Sequence, residues 1–169
     1  VARAAGMPDG ERRDNGGDGA QAYADAISVY LALAVSRQTD RCSSIASWQN
    51  IGEKIRNVFA RQAIPMTWDY AEANPFSSSS GNFLSQIGWV AEAVENVPAH
   101  PHSEAQQADA MTRDYTNVVI STDPPYYDNI DYSDLSDYFY VWLRPMLHDV
   151  LPSVTATMLT PKAQELVAN

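Results

Sequence analysis

The chain has 169 residues, 45% of them hydrophobic and 19% charged, which is a composition typical of a soluble globular domain with its own core. Its formal net charge of −10 argues against a free-standing nucleic-acid binder, because such proteins usually present a basic surface. The single cysteine, Cys42, excludes an internal disulfide framework, and no apolar run reaches the roughly 18 residues of a membrane span, so we expect a cytoplasmic protein.

The first half of the chain reads as helical. Residues 1–19 contain the loop signal DNGGDG, and we expect them to form a flexible lead. Apolar residues at spacings of three and four, without Gly or Pro, predict a helix over 20–39. Similar stripes predict helices over 51–62 and 82–96, separated by a long loop rich in proline and serine over 63–82.

The second half of the chain favours short strands followed by a helix. A short strand is expected over 104–110, and the β-branched run over 116–122 suits a buried strand of a parallel sheet. A long apolar stripe predicts a last helix over 132–150. Helices that alternate with short buried strands indicate an α/β fold. We therefore divide the chain into the lead, a helical region over 20–98, and a sheet-forming region over 99–169.

Asp123, Pro124, Pro125 and Tyr126 follow directly after the predicted 116–122 strand. In open α/β sheets, ligands bind beyond the carboxyl ends of the strands. The two prolines fix the backbone and offer no N–H group, so they hold the neighbouring carbonyl oxygens in one orientation. Rigid acceptors beside an aromatic ring suit a flat ring that bears an amine. We call Asp123, Pro124, Pro125 and Tyr126 the amine grip.

The amine grip resembles the DPPY motif of amino-methylating DNA methyltransferases. The longer string TDPPYYDNIDYSDLSDYFYVWLR resembles more narrowly the DUF1156-type, adenine-specific DNA methylase-like proteins, and so do FARQAIPMTWDYAEANPFSSSSGN and YLALAVSRQTDRCSS. The resemblance covers most of the chain, from about residue 23 to residue 169. DPPY alone is a moderately specific signal, and DPPYYDNI followed by DLSDYFYVWLR is far more specific.

The resemblance implies a Rossmann-like methyltransferase fold with extra helices, and methyl transfer from S-adenosylmethionine to adenine N6 or cytosine N4 of DNA. Asp123 and Pro124 would hold the amine, Pro125 would keep the turn rigid, and Tyr126 would stack on a flipped base. Asp109 would lie near the adenine of the cofactor. Tyr127, Asp128 and Asn129 would contact the substrate, although the two polar residues would equally suit the start of the next helix. No metal is required.

One feature of the resembled proteins is missing from the sequence. They carry a glycine-rich turn that holds the cofactor, whereas here Asn74, Pro75 and Phe76 are followed by serines and Gly81 stands alone. We therefore expect the chain to be an incomplete fragment of a larger methylase, which reaches DNA through the full-length protein. By itself the fragment should bind S-adenosylmethionine weakly or not at all, and should be inactive.

Two other functions stay open at this stage. One is a methyltransferase that acts on RNA or on a protein amide, although amide methylation usually shows Asn at the position of Asp123. The other is a non-catalytic interaction module of a defence or regulatory complex, which the acidic charge and the missing glycine-rich turn favour. The pair His100 and His102 suggests a surface loop rather than a metal site, because no third ligand lies nearby in the sequence.

Overall fold

The computed structural model describes residues 1–59, 63–79, 81–97, 105–106, 108–124, 126, 130 and 132–162 of the chain. Its α-helices in this part are α1 (Ala20–Thr39), α2 (Phe83–Asn96) and α3 (Tyr132–Leu147). A two-stranded antiparallel hairpin pairs β1 (Trp48–Gln49) with β2 (Lys54–Ile55). Short 3₁₀ helices at Arg3–Ala5 and Arg13–Asn15 precede α1. Within the same residues, no helix combines the length and the apolar character that crossing a membrane requires.

Helix α1 is the central element, because both α2 and α3 pack against it. Its buried residues include Ala22, Ala32 and Ala34. Alanine has the highest helix propensity, and its small side chain allows neighbouring helices to approach closely. The prediction of a helix over 20–39 is confirmed.

The start of α1 is capped by the segment that precedes it. The first N–H groups of a helix have no partner inside the helix. Here the N–H of Ala20 donates to the carbonyl oxygen of Pro8 at 2.7 Å, and the N–H of Gln21 donates to that of Asp9 at 3.0 Å. A side chain at Gly19 would place its Cβ only 2.6 Å from the Pro8 oxygen, so this close approach requires glycine. The division of the chain into a lead over 1–19 and a helical region that begins at residue 20 stays a prediction.

A buried carboxylate also joins the first residues to α1. Asp25 is 2% exposed. It accepts hydrogen bonds from Arg12 Nη2 at 3.3 Å, from the backbone N–H of Arg13 at 3.1 Å and from Gln21 Nε2 at 3.0 Å. Burial raises the pKa of Asp25, but the hydrogen bonds from these three residues together hold that pKa below its ordinary value. The carboxylate therefore stays charged, and it fixes residues 12–13 against the helix.

Helix α2 begins with a side-chain cap. Asn82 Oδ1 accepts a hydrogen bond from the backbone N–H of Ser85 at 2.9 Å, which is the usual arrangement for asparagine at this position. Gln38 Nε2 on α1 donates to the carbonyl oxygen of Gly81 at 3.0 Å, so the start of α2 is tied to α1. The prediction of a helix over 82–96 is confirmed to within one residue.

Helix α3 is held on α1 by aromatic side chains. The hydroxyl of Tyr138 donates to the carbonyl oxygen of Thr39 at 2.8 Å. The ring of Phe59 lies 5.0 Å from the ring of Tyr138 and 5.2 Å from the ring of Phe139, between centroids. The predicted last helix is confirmed, but α3 ends at Leu147 and not at residue 150.

The prediction of a helix over 51–62 is wrong. Its middle forms strand β2, which pairs with β1 after a turn that contains Gly52 and Glu53, the latter with φ 45°. The N–H of Val58 donates to both the carbonyl oxygen and Oδ1 of Asp40, each at 3.0 Å. Glycine in the turn and these contacts with a distant residue outweigh the short apolar stripe. Residues 60–62 lie outside the described residues.

The prediction of a buried strand over 116–122 is also wrong. Val119 is fully exposed, Val118 and Ile120 are 56% and 57% exposed, and Asn117 has φ 59°. A strand needs a paired neighbour, and within the described residues the hairpin β1–β2 is the one sheet. Residues 105–106 and 108–109 are also not in a strand, while 104 and 107 lie outside the described residues. The Rossmann-like methyltransferase fold therefore stays a prediction.

A strap at the end of the described chain, residues 157–162, lies along α3. The carbonyl oxygen of Thr157 accepts hydrogen bonds from the Tyr140 hydroxyl at 2.7 Å and from Arg144 Nε at 2.9 Å. The N–H of Thr160 donates to Asp137 Oδ1 at 2.8 Å, and Lys162 Nζ lies 2.6 Å from Asp137 Oδ2. The hydrogen bonds from Lys162 and Thr160 lower the pKa of Asp137 to about 2. Charged and neutral polar contacts thus fix the strap to the helix.

We expect acid to weaken this strap. The pKa of Asp137 falls from its ordinary value of 3.8 to about 2 on folding. Its charge therefore contributes stability above pH 3.8, and that contribution is lost as the pH falls towards about 2. Urea unfolding of the wild type and of Asp137→Asn, followed by circular dichroism from about pH 5 to about pH 2, measures the loss.

The stability difference between wild type and Asp137→Asn should shrink across this range. Asp149→Asn is the matched control, because Asp149 is an exposed acid just after the same helix. That variant should follow the wild type at every pH. If the difference in the free energy of unfolding between wild type and Asp137→Asn stays constant down to about pH 2, the charge of Asp137 does not stabilise the strap.

Candidate functional site

The described residues of the amine grip lie at the surface. Asp123 and Pro124 are exposed, and the side chain of Tyr126 is 63% exposed. Pro125 lies outside the described residues, as do Tyr127, Asp128 and Asn129. A molecule in solution can therefore reach the Asp123 carboxylate and the Tyr126 ring, which lie close to each other along the chain.

A buried residue, Ile130, lies between the grip and α3 in the sequence. Ile130 is 6% exposed, and its carbonyl oxygen accepts a hydrogen bond from the N–H of Tyr132 at 3.0 Å, where α3 begins. Sequence reasoning missed this anchor. The signal was available, because Ile130 and Leu135 have the spacing of a hydrophobic staple around the start of a helix. The buried isoleucine thus lies next to the start of a helix that is docked on α1.

The predicted cofactor residue, Asp109, belongs to a separate turn. Its Oδ1 accepts a hydrogen bond from the N–H of Met111 at 2.8 Å, and its carbonyl oxygen accepts one from the N–H of Thr112 at 3.3 Å. The side chain is exposed, and the described residues that precede it form no strand. This carboxylate therefore stabilises its own turn.

The structure does not place the predicted cofactor residue, Asp109, at the end of a sheet strand. A nucleotide-like cofactor binds α/β proteins where a turn follows the carboxyl end of a sheet strand. Neither Asp109 nor Asp123 follows such a strand here. The part of the chain that the structure describes thus offers exposed acceptors at Asp123 and Pro124, and the binding of S-adenosylmethionine stays a prediction.

The stretch of sequence that leads to the grip carries three exposed acids and one exposed base, Arg113. Asp109, Asp114 and Asp123 are all exposed within one stretch of the chain. Hydrogen bonds from the side chain and the backbone N–H of Thr116 hold the pKa of Asp114 below its ordinary value. Negative charge repels phosphate groups, whereas oxygen acceptors attract the protons of an amine.

Other clusters in the structure do not include the predicted site residues. Among the described residues, no group of three His, Cys, Asp or Glu side chains is placed to hold a metal ion. His100 and His102 lie outside them. A groove of about 630 Å³ near Cys42 is lined by loop residues that include Tyr70 and Asn74, and another of about 530 Å³ lies between α1 and α2.

Comparisons with protein-family models, with curated proteins and with solved structures find no match for this chain. The functional hypothesis therefore depends on the motif resemblance and on the accessibility of the residues that carry it.

Proposed function

We propose that the chain is the part of a DNA amino-methyltransferase that grips the target amine, with adenine N6 as the first target and cytosine N4 as the second. The observation that carries this proposal is the exposure of Asp123, Pro124 and Tyr126. Side chains sealed in an apolar core could not meet a base, whereas these can.

The proposed role of the grip follows from the chemistry of aromatic amines. The lone pair of such an amine is delocalised into its ring, so its nitrogen is a poor nucleophile. Hydrogen bonds from the amine to the Asp123 carboxylate and the Pro124 carbonyl would favour a more tetrahedral nitrogen and stabilise positive charge that develops on it. Tyr126 would stack on the base after it leaves the duplex.

In this proposal, other parts of the full-length protein bind the methyl donor and the DNA backbone. S-adenosylmethionine would supply an activated methyl group, held by residues other than those described here. The acidic charge of this chain makes it a poor partner for phosphate, so basic contacts with DNA would come from the full-length protein. The reaction is assigned to the cytoplasm, consistent with the single free cysteine.

A labelled transfer assay tests this proposal. The full-length protein that contains this sequence is incubated with methyl-labelled S-adenosylmethionine and, in separate reactions, duplex DNA, RNA or a glutamine-containing peptide. We expect label in DNA, recovered as N6-methyladenine after digestion. The 169-residue chain alone should transfer none. Label in RNA or peptide, but not in DNA, would contradict the assigned substrate.

A non-catalytic interaction module is the second candidate. The observation that favours it is that Asp109, the predicted cofactor residue, accepts a hydrogen bond from Met111 within its own turn. In that case the full-length protein would bind DNA or a partner protein without any transfer of label. The same assay, combined with a DNA-binding measurement by fluorescence anisotropy, separates the two candidates.

A further inference from the structure

An apolar groove runs between α1 and α2. Its volume is about 530 Å³, within the range of about 300–1,000 Å³ that is usual for small-molecule sites. Its aromatic and aliphatic walls remain in contact with water, since Trp89 is 55% exposed and Leu33 is 44% exposed. Eight residues line it, far fewer than the roughly 20–30 on each side of a stable protein interface. The groove therefore suits a small molecule better than a protein.

The two helices run in opposite directions along the groove. The side chain of Gln38, near the end of α1, donates a hydrogen bond to the carbonyl oxygen just before α2 begins. Because α2 packs along α1 from that point, later residues of α2 lie beside earlier residues of α1. Arg37 and Trp89 thus line one end of the groove, and Tyr30 and Val97 line the other.

Arg37 places a cation at the first of these ends. It carries the single charge among the described residues that line the groove. Its guanidinium carbon lies 5.8 Å from the centre of the Trp89 ring, a contact that holds the cation beside the groove. Among the described residues, no carboxylate forms an ion pair with Arg37. The N–H donors of the guanidinium are therefore available to an anion from solution.

We propose that this groove binds a small monocarboxylate with an elongated aliphatic body. The carboxylate pairs with Arg37, and the aliphatic body lies along Trp89 and Leu33 towards Tyr30. One cation matches one negative charge, and the uncharged walls beyond it match a body that water solvates poorly. This site is separate from the proposed function, because the described residues that line it include none of the amine grip.

Binding should be weak. For octanoate, an eight-carbon acid of this class, we expect a dissociation constant of about 1 mM, because the groove is open and the ligand is small. The net charge of −10 repels an anion over a distance that salt shortens. The measurement is therefore made at about 0.15 M salt, where the screening length is about 8 Å.

Titration of the chain with octanoate, followed by the NMR signals of the indole N–H groups, tests the proposal. The chain has four tryptophans, and the variant Trp89→Phe identifies the signal of Trp89. We expect that signal to shift and to approach saturation by about 10 mM octanoate. The signals of Trp48 and Trp142, which do not line the groove, should stay in place. A Trp89 signal that does not move by about 10 mM would overturn the proposal.

The role of the charge has its own controls. Arg37→Gln should weaken octanoate binding about tenfold, so that the shift no longer saturates. Arg56→Gln removes the same charge from an exposed position outside the groove and should bind octanoate like the wild type. Octylammonium, which has the same chain and the opposite charge, should leave the Trp89 signal unchanged. Circular dichroism checks that each variant keeps its helices.

Two results would show that the groove is an apolar surface without an anion site, and either would overturn the proposal. The first is octanoate binding that Arg37→Gln leaves as strong as in the wild type. The second is an equal shift of the Trp89 signal with octanoate and with octylammonium.

Discussion

Replacing Asp25 by alanine is expected to destabilise the folded chain by about 2–4 kcal/mol. The reason is that three donors, from Arg12, Arg13 and Gln21, lose their acceptor in a site where Asp25 itself is 2% exposed. The donors from Arg13 and Gln21 would be left without their partner. Arg12 can recover part of the loss through solvent, because its side chain is 42% exposed.

Urea unfolding followed by circular dichroism measures this change in the free energy of unfolding. Asp25→Asn keeps one acceptor oxygen, so its free energy of unfolding should fall less than that of Asp25→Ala. Asp18→Ala serves as the matched control, because Asp18 is an exposed acid just before the same helix, and it should stay within about 0.5 kcal/mol of the wild type. Loss of less than about 0.5 kcal/mol in Asp25→Ala would show that the carboxylate does not hold residues 12–13 on α1.

Replacing Asp123 by alanine in the full-length protein is expected to lower methyl transfer by about 100-fold to 1,000-fold. The proposed hydrogen bond from the amine strengthens as positive charge develops on nitrogen, so its loss should lower kcat with little change in KM. Asp123→Asn retains a carbonyl acceptor without the charge, so its kcat should lie between that of the wild type and that of Asp123→Ala. Because Asp123 is exposed, neither change should alter the free energy of unfolding by more than about 0.5 kcal/mol.

Steady-state kinetics with labelled S-adenosylmethionine and duplex DNA measure this effect. Asp149→Ala is the control, since it removes an exposed carboxylate beyond α3, and it should transfer methyl groups at the rate of the wild type. An Asp123→Ala enzyme that keeps more than about half of the wild-type kcat would contradict a direct role of this carboxylate at the amine.

The parts of the fold that could be predicted are those stabilised locally. The helices over 20–39 and 82–96 were predictable from apolar residues at spacings of three and four, and the second also has Asn82 as a cap. On α1, however, the buried residues are alanines and polar residues, and most of the predicted apolar stripe is exposed. Contacts with distant residues decided the rest. The segment around Lys54 became a strand through its pairing with Gln49, and the role of Asp25 depends on Arg12, thirteen positions earlier.

The candidate site shows the same limit. The rigidity of the turn at Pro124 could be predicted, because proline restricts its own backbone. The state of that run could not, since Val119 would be buried only if other strands lay beside it. Likewise, the buried anchor Ile130 depends on how α3 docks, although the local staple spacing gave a usable signal.

The most direct test of the amine grip is a crystal structure of the full-length protein bound to duplex DNA that contains its target base. We expect the exocyclic nitrogen of the flipped base within about 2.7–3.2 Å of both an Asp123 carboxylate oxygen and the Pro124 carbonyl oxygen, with the Tyr126 ring stacked on the base. A base bound elsewhere, or Asp123 and Tyr126 packed against protein and out of reach of the DNA, would contradict it.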